Sequence, residues 1–336
     1  MITLPKPRTG IALSAILLLA LILGSGHTFA HDSEDDAVEP QRPAPFGDAL
    51  LLGHLQNRII TEASGMAASR LHSDVLWILN DGGDAPALYA VDLQGAHLGR
   101  MRIRNARNVD WEDLAAFRID RAATLLIADV GDNRAQRADA VLYFVREPDI
   151  TGHSVPFDIS VDWYRRMRFE YADGPRDCEG VAVDADRNKI LLVTKRTVPP
   201  VIYELPLQLD GEQPLMVARR IAVVQHLQPP AAAPPVEDFR FEKLRSQPTA
   251  MDISPDGSEI AILTYGDGYL YRRPAHLDWS KVFRNPPQWI RMPKLRQAEA
   301  LCFSADGQSL IVTSEQLPAP LYRLDRRSAS HQGSIP

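Results

Sequence analysis

The sequence predicts an all-β fold, a five-bladed β-propeller closed by a strand from the N-terminal side. Three observations predict it. Five short segments align on one polar position, each is followed by a turn cluster and a second apolar strand, and a tyrosine recurs in the strand after that. A four-stranded unit repeated around an axis is typical of a propeller, and closure of the ring leaves no long unpaired sheet edge.

The first strand of each unit is recognised by its alternation. The five segments are "EASGMAAS", "DWEDLAAF", "DCEGVAVD", "QPTAMDIS" and "QAEALCFS". Apolar residues stand two and four positions after the aligned polar residue, which is the period-2 pattern of a β-strand. The aligned polar residues are Ser64, Glu112, Glu179, Thr249 and Glu299.

The second and third strands follow the same scheme. Turn clusters such as "SPDG" and "SADG" separate each first strand from a short apolar segment, which predicts a β-hairpin. The second strands reach a further set of polar positions: Asn80, Asp129, Lys195, Tyr265 and Glu315. The third strands carry the repeated tyrosine: Tyr89, Tyr143, Tyr203, Tyr271 and Tyr322.

Fourth strands are less regular, and the fifth unit lacks one because the chain ends soon after Tyr322. A strand within 51–60 can complete that unit, so the propeller domain is predicted to span 50–326, with a C-terminal tail over 327–336. The extra segments 131–140, 147–160 and 227–247 are interpreted as loops over one face. A six-bladed propeller is the alternative, and a β-sandwich is a further one.

The first 30 residues predict a secretory signal peptide. Lys6 and Arg8 precede an apolar run over 11–23, and a small-residue cleavage pattern ends at Ala30. The run is too short to span a bilayer of about 30 Å, and no later segment approaches about 18 apolar residues. We therefore expect an exported protein, periplasmic or secreted, without a membrane span, cleaved near Ala30 and beginning with an acidic, proline-rich tail over 31–49.

The net charge bears on the possible partners, and the two cysteines bear on whether the chain contains a disulfide. The formal net charge of −6 makes nucleic acid an unfavourable partner for this chain. Cys178 and Cys302 could form a disulfide outside the cytoplasm, but they stand at different offsets in their repeats. Two buried thiols are therefore the favoured interpretation.

The aligned polar residues predict a metal site, because the first strand of each blade lines the central channel. The ring would hold three carboxylates, Glu112, Glu179 and Glu299, with the hydroxyl groups of Ser64 and Thr249. Carboxylates buried without a partner would cost several kcal/mol each, so a cation is expected among them. Oxygen ligands favour a hard cation, and we expect calcium outside the cytoplasm. A solvated polar channel without metal is the alternative.

The second polar set predicts a ligand-binding face. A hairpin returns to the end where it started, so Asn80, Asp129, Lys195, Tyr265 and Glu315 should lie at the same mouth as the ring. Lys195 is the only cation in either set. Lys195 and Glu315 are the candidate catalytic residues. Alternatively, Lys195 serves only to neutralise the charge of Glu179. Acidic residues also flank the two sets: Glu62, Asp81, Asp110, Asp132 and Asp177.

At this point the motifs resemble two known families. The segments "EASG", "EGVAV" and "QAEALCFSADGQSLIVTSEQ" resemble the SdiA-regulated (YjiK-type) bacterial proteins, which are five-bladed propellers. The order Ser64, Glu112, Glu179, Thr249 and Glu299 is also similar to the channel residues of calcium-activated nucleotidases (apyrases), five-bladed propellers with a central calcium ion. The second resemblance implies that the same five residues hold calcium, directly or through water.

Two functions follow from these expectations. The first is an exported propeller with a central calcium site that binds a small molecule or a protein partner at one face. The alternative is a calcium-dependent hydrolase of phosphate esters or lactones, in which the metal polarises the scissile group and Lys195 handles charge or protons. Phosphate substrates call for several cations, and this mouth offers mainly Lys195 and Arg196.

Overall fold

The computed structural model describes residues 45–211, 214–231, 233–236 and 239–327, and these fold as an all-β protein. The strands in the described residues are β1 (Leu50–His54), β2 (Ala63–Ala68), β3 (Val75–Asn80), β4 (Ala87–Asp92), β5 (His97–Arg104), β6 (Trp111–Ile119), β7 (Ala122–Asp129), β8 (Ala140–Arg146), β9 (Phe157–Asp162), β10 (Arg165–Tyr171), β11 (Cys178–Asp184), β12 (Lys189–Thr194), β13 (Val201–Pro206), β14 (Met216–Val223), β15 (Pro248–Ile253), β16 (Glu259–Thr264), β17 (Gly268–Arg272), β18 (Gln288–Ile290), β19 (Ala298–Phe303), β20 (Ser309–Ser314) and β21 (Pro320–Asp325). One short helix, α1 (Trp279–Val282), and two 3₁₀ turns, Ala185–Arg187 and Phe239–Leu244, lie between strands.

Antiparallel pairing arranges these strands in four-stranded groups. The first group is β2 to β5, the second is β6, β7, β8 and β10, the third is β11 to β14, the fourth is β15 to β18, and the fifth is β19, β20, β21 and β1. Strand β1 therefore lies beside β21, with Leu50 opposite Arg323 and Leu51 opposite Tyr322. The chain closes its last sheet with a strand from its N-terminal side.

The groups follow one another around an axis. The first strand of each group contacts the first strand of the next, in the cyclic order β2, β6, β11, β15, β19 and back to β2. Each hydrophobic cluster also lies between two successive groups, and the cluster between the fifth and first groups completes the cycle. This arrangement is propeller-like.

The repeated tyrosines occupy equivalent places. Each stands on the third strand of its group and packs into the hydrophobic cluster shared with the preceding group: Tyr89, Tyr143, Tyr203, Tyr271 and Tyr322. Aromatic side chains bury a large apolar area, so one such residue per interface contributes strongly to the packing of adjacent sheets. The repeat in the sequence therefore marks an inter-sheet contact.

One part of the loop interpretation was wrong. The segment 147–160 does not lie wholly in a loop, because its last residues form β9, which pairs in parallel with β5 as a fifth strand of the first sheet. Arg100 Nη2 lies 2.8 Å from Asp158 Oδ2, and Arg104 Nη2 lies 2.6 Å from Asp162 Oδ2. Opposite charges on neighbouring strands favour this pairing, and β9 covers an otherwise unpaired sheet edge.

The sequence also predicts two free thiols, a signal peptide and the absence of a membrane span. Cys178 and Cys302 are both buried and unbonded, as the two-thiol interpretation predicts. The expected signal peptide, its cleavage near Ala30 and most of the 31–49 tail lie outside the described residues. Among the residues that are described, helices long and apolar enough to cross a membrane are absent.

Candidate functional site

All five residues of the predicted ring lie near the beginning of a first strand, where the pairing with the second strand shifts by one residue. The shifts occur across Ser64, Glu112, Glu179, Thr249 and Glu299. Such a β-bulge leaves the extra residue out of the ladder and redirects side chains locally. A bulge in each group therefore presents an equivalent polar side chain at one end of the ring of first strands, which we call the mouth.

The two hydroxyl groups of the ring bond to backbone of the next group. Ser64 Oγ donates to the Glu112 carbonyl oxygen at 2.6 Å, and Thr249 Oγ1 donates to the Ala298 carbonyl oxygen at 2.8 Å. Ser64 Oγ also lies 3.4 Å from Glu112 Oε2. These bonds link neighbouring first strands, so both hydroxyl groups have a structural partner.

Acidic side chains gather on one side of this mouth in two overlapping clusters. The first contains Asp81, Asp110 and Glu112, the second contains Glu112, Asp177 and Glu179, and in each the carboxylate oxygens lie within 4.8 Å of one another. Such clusters could hold a metal ion. Glu112 belongs to both and is only 3% exposed.

The two clusters differ in their counter-charges. Arg196 Nε lies 2.6 Å from Asp177 Oδ2, and Lys195 Nζ lies 2.9 Å from Glu179 Oε2, so the second cluster already has two cations. In the part of the chain that the structure describes, the carboxylates of the first cluster have no cation within ion-pair distance. Among the described residues, the first cluster is therefore the one without a directly paired cation, although the more distant charges of Arg137 and Lys195 act on Asp110 and Glu112.

Two glycines leave room for the first cluster. A Cβ atom on Gly131 would come within 2.0 Å of Glu112 Oε1 and 2.6 Å of Asp110 Oδ2. A Cβ atom on Gly82 would come within 2.3 Å of Asp110 Oδ1. Any other residue at either position would displace these carboxylates, so the backbone is shaped to let them approach each other.

Burial raises the pKa values of three carboxyl groups at this mouth, those of Asp110, Glu112 and Glu179. Burial raises the pKa of Glu112 well above its ordinary range, and the charges of Glu179 and Asp81 raise it further. Burial raises the pKa of Asp110 to about 6, with a further contribution from Asp81. Burial also raises the pKa of Glu179 to about 8, against the opposing effect of Lys195. A bound cation would reverse these shifts, because it favours the charged form of each carboxyl group.

Lys195 occupies the other side of the mouth. The structure buries it to 7% exposure, with Nζ 2.9 Å from Glu179 Oε2 and 3.9 Å from Glu299 Oε2. The ammonium group also lies 5.0 Å from the centre of the Tyr265 ring. These carboxylates raise the pKa of Lys195 despite its burial. Lys195 is thus the cation that lies among the predicted ring carboxylates Glu179 and Glu299. This agrees with the alternative in which Lys195 neutralises Glu179.

The remaining members of the second set lie at the same mouth. Asn80 Nδ2 donates to the Ile59 carbonyl oxygen at 2.8 Å and also to Asp84. Asp129 Oδ1 lies 2.8 Å from Arg137 Nη1. Glu315 Oε2 accepts a hydrogen bond from Gln297 Nε2, as does Glu299 Oε1 at 3.3 Å.

Glu315 and Tyr265 both have pKa values that burial raises, but the two side chains differ in their protonation near neutral pH. Burial raises the pKa of Glu315 to about 8, and the charge of Glu299 raises it further. Burial also raises the pKa of Tyr265 above its ordinary value, so this phenol is neutral near neutral pH. Glu315 is therefore a group of the second set that can donate a proton near neutral pH, whereas Tyr265 is not.

Sequence reasoning missed the roles of five residues of this site. It placed Asp81 and Asp110 on the correct face but did not include them among the ligands, since both stand outside the aligned strand positions. It treated the segment with Arg137 only as a loop. The spacing roles of Gly82 and Gly131 depend on close approaches between groups, which a single repeat does not reveal.

A cavity of about 490 Å³ borders this mouth between the third and fourth groups. Lys195 forms part of its wall, together with the exposed Lys243 and the buried side chains of Val224 and Leu227. Such a volume is in the range of small-molecule pockets. The cavity places an apolar surface beside the charged centre.

Comparisons with known proteins give little further information. No protein-family model matches the chain, and no curated protein matches it. Among solved structures, the chain is similar to a chain in the crystal structure of a nidogen–laminin complex, with 12% sequence identity and a TM-score of 0.40. That similarity covers 75% of this chain and 72% of the other.

Proposed function

We propose that the five strand groups are the blades of a closed propeller and that the mouth containing Asp81, Asp110 and Glu112 binds calcium. The observation that carries this proposal is the first acidic cluster, which joins the buried Glu112 to the partly buried Asp81 and Asp110. Among the described residues it has no directly paired cation, and Gly82 and Gly131 leave room for its carboxylates. A bound cation would supply the direct contact with positive charge that these carboxylates lack among the described residues. The residue that joins the predicted ring to this cluster is Glu112.

Calcium suits these ligands better than zinc or copper. The candidate ligand atoms are carboxylate oxygens, with no histidine or cysteine among them. Calcium accepts six to eight oxygen ligands in flexible geometry, and water can supply those that three carboxylates do not. The resemblance of the ring to calcium-activated nucleotidases supports the same ion, and that to SdiA-regulated propellers supports the blade count.

We expect calcium to raise the melting temperature of the protein and Glu112→Gln to remove most of that increase. Calcium that binds only the folded state stabilises it by about 2.7 kcal/mol at a hundredfold excess over Kd. Gly131→Ala should have the same effect as Glu112→Gln, because the added methyl group fills the space between the carboxylates. The measurement is thermal unfolding in calcium and in chelator, with elemental analysis of the purified protein.

The matched control is Glu170→Gln, which removes an exposed carboxylate from an outer strand. It should leave the calcium response unchanged. Wild-type protein that melts at the same temperature in calcium and in chelator, and that contains no metal, would overturn the calcium proposal. The mouth would then be a solvated polar channel.

The metal serves a binding function at this face. The ligand occupies the cavity beside Lys195, where the exposed Lys243 offers a positive charge, while Lys195 is paired with Glu179 and Arg245 with Asp267. Val224 and Leu227 provide an apolar wall. A small molecule with an anionic group and an apolar part matches both features. The protein acts after export, as its N-terminal sequence indicates, outside the cytoplasm where calcium is plentiful.

A second candidate is a calcium-dependent hydrolase of phosphate esters or lactones. Glu315 favours it, because a carboxyl group with a pKa of about 8 can act as a general acid near neutral pH. Lys195, held in place by Glu179, would orient an anionic substrate.

If the site is catalytic, Glu315→Gln should lower calcium-dependent hydrolysis of p-nitrophenyl phosphate or of a lactone by at least about a hundredfold. The melting temperature should stay close to that of the wild type, because the amide can still bond to Gln297. Glu170→Gln again serves as control. Wild-type protein without calcium-dependent turnover on either substrate class would exclude the hydrolase and leave the binding function.

A further inference from the structure

A second cavity lies at the opposite mouth of the channel. It has a volume of about 350 Å³, and every strand group contributes to its wall near the end of its first strand. The contributing residues include Arg70 after β2, Phe117 on β6, Asp184 at the end of β11, Ser254 after β15 and Ala305 after β19. The acidic mouth lies at the beginning of the same strands, so the two sites are separate.

Two arginine side chains in this wall are held by backbone carbonyl groups. Arg70 Nε donates to the Ala116 carbonyl oxygen at 3.0 Å. Arg118 Nη1 donates to the Arg121 carbonyl oxygen at 3.1 Å, and its Nη2 donates to the Arg70 carbonyl oxygen. Neither guanidinium has a carboxylate within ion-pair distance among the described residues, and Arg70 Nη1 is buried without a partner there. Both groups are therefore fixed in place with N–H donors to spare.

Asp184 adds the opposite charge to the same wall. It is 2% exposed, and its Oδ2 accepts a hydrogen bond from Trp279 Nε1 at 2.9 Å and lies 3.5 Å from Arg187 Nη1. Its Oδ1 is buried and has no hydrogen-bond partner in the described part of the chain. A buried acceptor without a partner costs free energy, and a ligand that donates to it would recover that cost.

Apolar side chains form much of the remaining wall, beside the exposed Asp186 and the buried Ser254. Phe117, Val183 and Ile253 line the cavity, and each is at most 6% exposed. A cavity with apolar walls and a few fixed polar groups is the usual form of a small-molecule site. Here the fixed polar groups carry both signs of charge, which selects against simple anions and simple cations alike.

We propose that this cavity binds a small zwitterionic molecule with an aliphatic part, of which a free amino acid such as leucine is the simplest example. Its carboxylate would bind the guanidinium groups of Arg70 and Arg118, and its ammonium group would donate to Asp184 Oδ1. Its side chain would pack against Phe117, Val183 and Ile253. This site is independent of calcium at the other mouth.

Calorimetric titration of the wild-type protein with three probes tests the proposal. L-Leucine carries both charges, 4-methylpentanoate carries only the carboxylate, and 3-methylbutylamine carries only the ammonium group. We expect leucine to bind at least about tenfold more tightly than either analogue, because each analogue leaves one charged group of the cavity without its partner. Leucine binding should be equal in calcium and in chelator.

Two variants locate the binding site. Arg118→Gln removes an exposed guanidinium and should weaken leucine binding at least about tenfold. Asp184→Asn keeps an acceptor for Trp279 and should weaken leucine but not 4-methylpentanoate. Arg166→Gln, on the exposed face of β10, is the matched control and should change nothing. The proposal is overturned by the absence of any heat of binding with leucine, by equal affinity for all three probes, or by leucine binding that both variants leave unchanged.

Discussion

A chain that begins at Leu55, and so lacks β1, should be recovered as aggregates, whereas a chain that begins at Pro45 should be a monomer that unfolds cooperatively. Without β1, the outer edge of β21 loses its antiparallel partner. Unpaired sheet edges pair with other chains, so the loss is one of solubility and not only of stability. Size-exclusion chromatography with light scattering distinguishes the two outcomes.

A peptide of residues 45–54 sharpens this experiment. Added during refolding of the shortened chain, it should occupy the free edge of β21 and restore a monomeric complex, since strand addition to an open edge recovers the backbone hydrogen bonds. A scrambled peptide of the same composition should not. If the chain beginning at Leu55 is monomeric and as stable as the longer chain without any peptide, closure by β1 is unimportant and the ring model is wrong.

The strand pattern could be predicted from sequence because it depends on local periodicity repeated in each unit. The aligned segments correspond to first strands, and the tyrosines reach equivalent interfaces because each third strand faces the preceding group. β9 could not be predicted in the same way. Its position depends on parallel pairing with β5, a strand more than fifty residues earlier, and a single unit contains no trace of that pairing.

The site was only partly predictable for a related reason. A strand alternates its side chains, so the sequence directs Glu112 and Asp113 to opposite faces. The bulge at this point changes that relation, and both carboxyl groups become deeply buried. Likewise, the burial of Lys195 between Glu179 and Glu299 depends on distances across the channel, which alignment of the repeats does not supply.

Asp113 connects the first strands of three groups. Its Oδ2 accepts hydrogen bonds from the backbone N–H groups of Val181 on β11, at 2.8 Å, and Met251 on β15, at 3.2 Å. Its Oδ1 accepts from Leu114 N, on its own strand, at 2.8 Å. The side chain is fully buried, and burial raises the pKa of Asp113 well above its ordinary value. One carboxyl group thus satisfies inner-strand donors that face the channel.

Asp113→Ala should therefore destabilise the protein by several kcal/mol, although the substitution removes a buried acid. Each backbone N–H group left without an acceptor costs about 1–3 kcal/mol, and three such groups are a large part of the roughly 5–15 kcal/mol that stabilises a typical folded protein. Asp113→Asn should have a smaller effect, because its amide oxygen can still accept from one side. Urea unfolding, followed by circular dichroism, gives the free energy of unfolding of each variant.

The control for Asp113→Ala is Asp158→Ala, which removes a carboxylate that pairs with Arg100 and Arg102 at the exposed edge of the first sheet. Exposed ion pairs contribute about 0–1 kcal/mol, so this variant should unfold close to the wild type. A free energy of unfolding of Asp113→Ala equal to that of Asp158→Ala would show that water replaces the carboxyl group in the channel. Packing between sheets alone would then hold the inner strands together. The polar residues along the axis could then bind a ligand without lowering the free energy of unfolding.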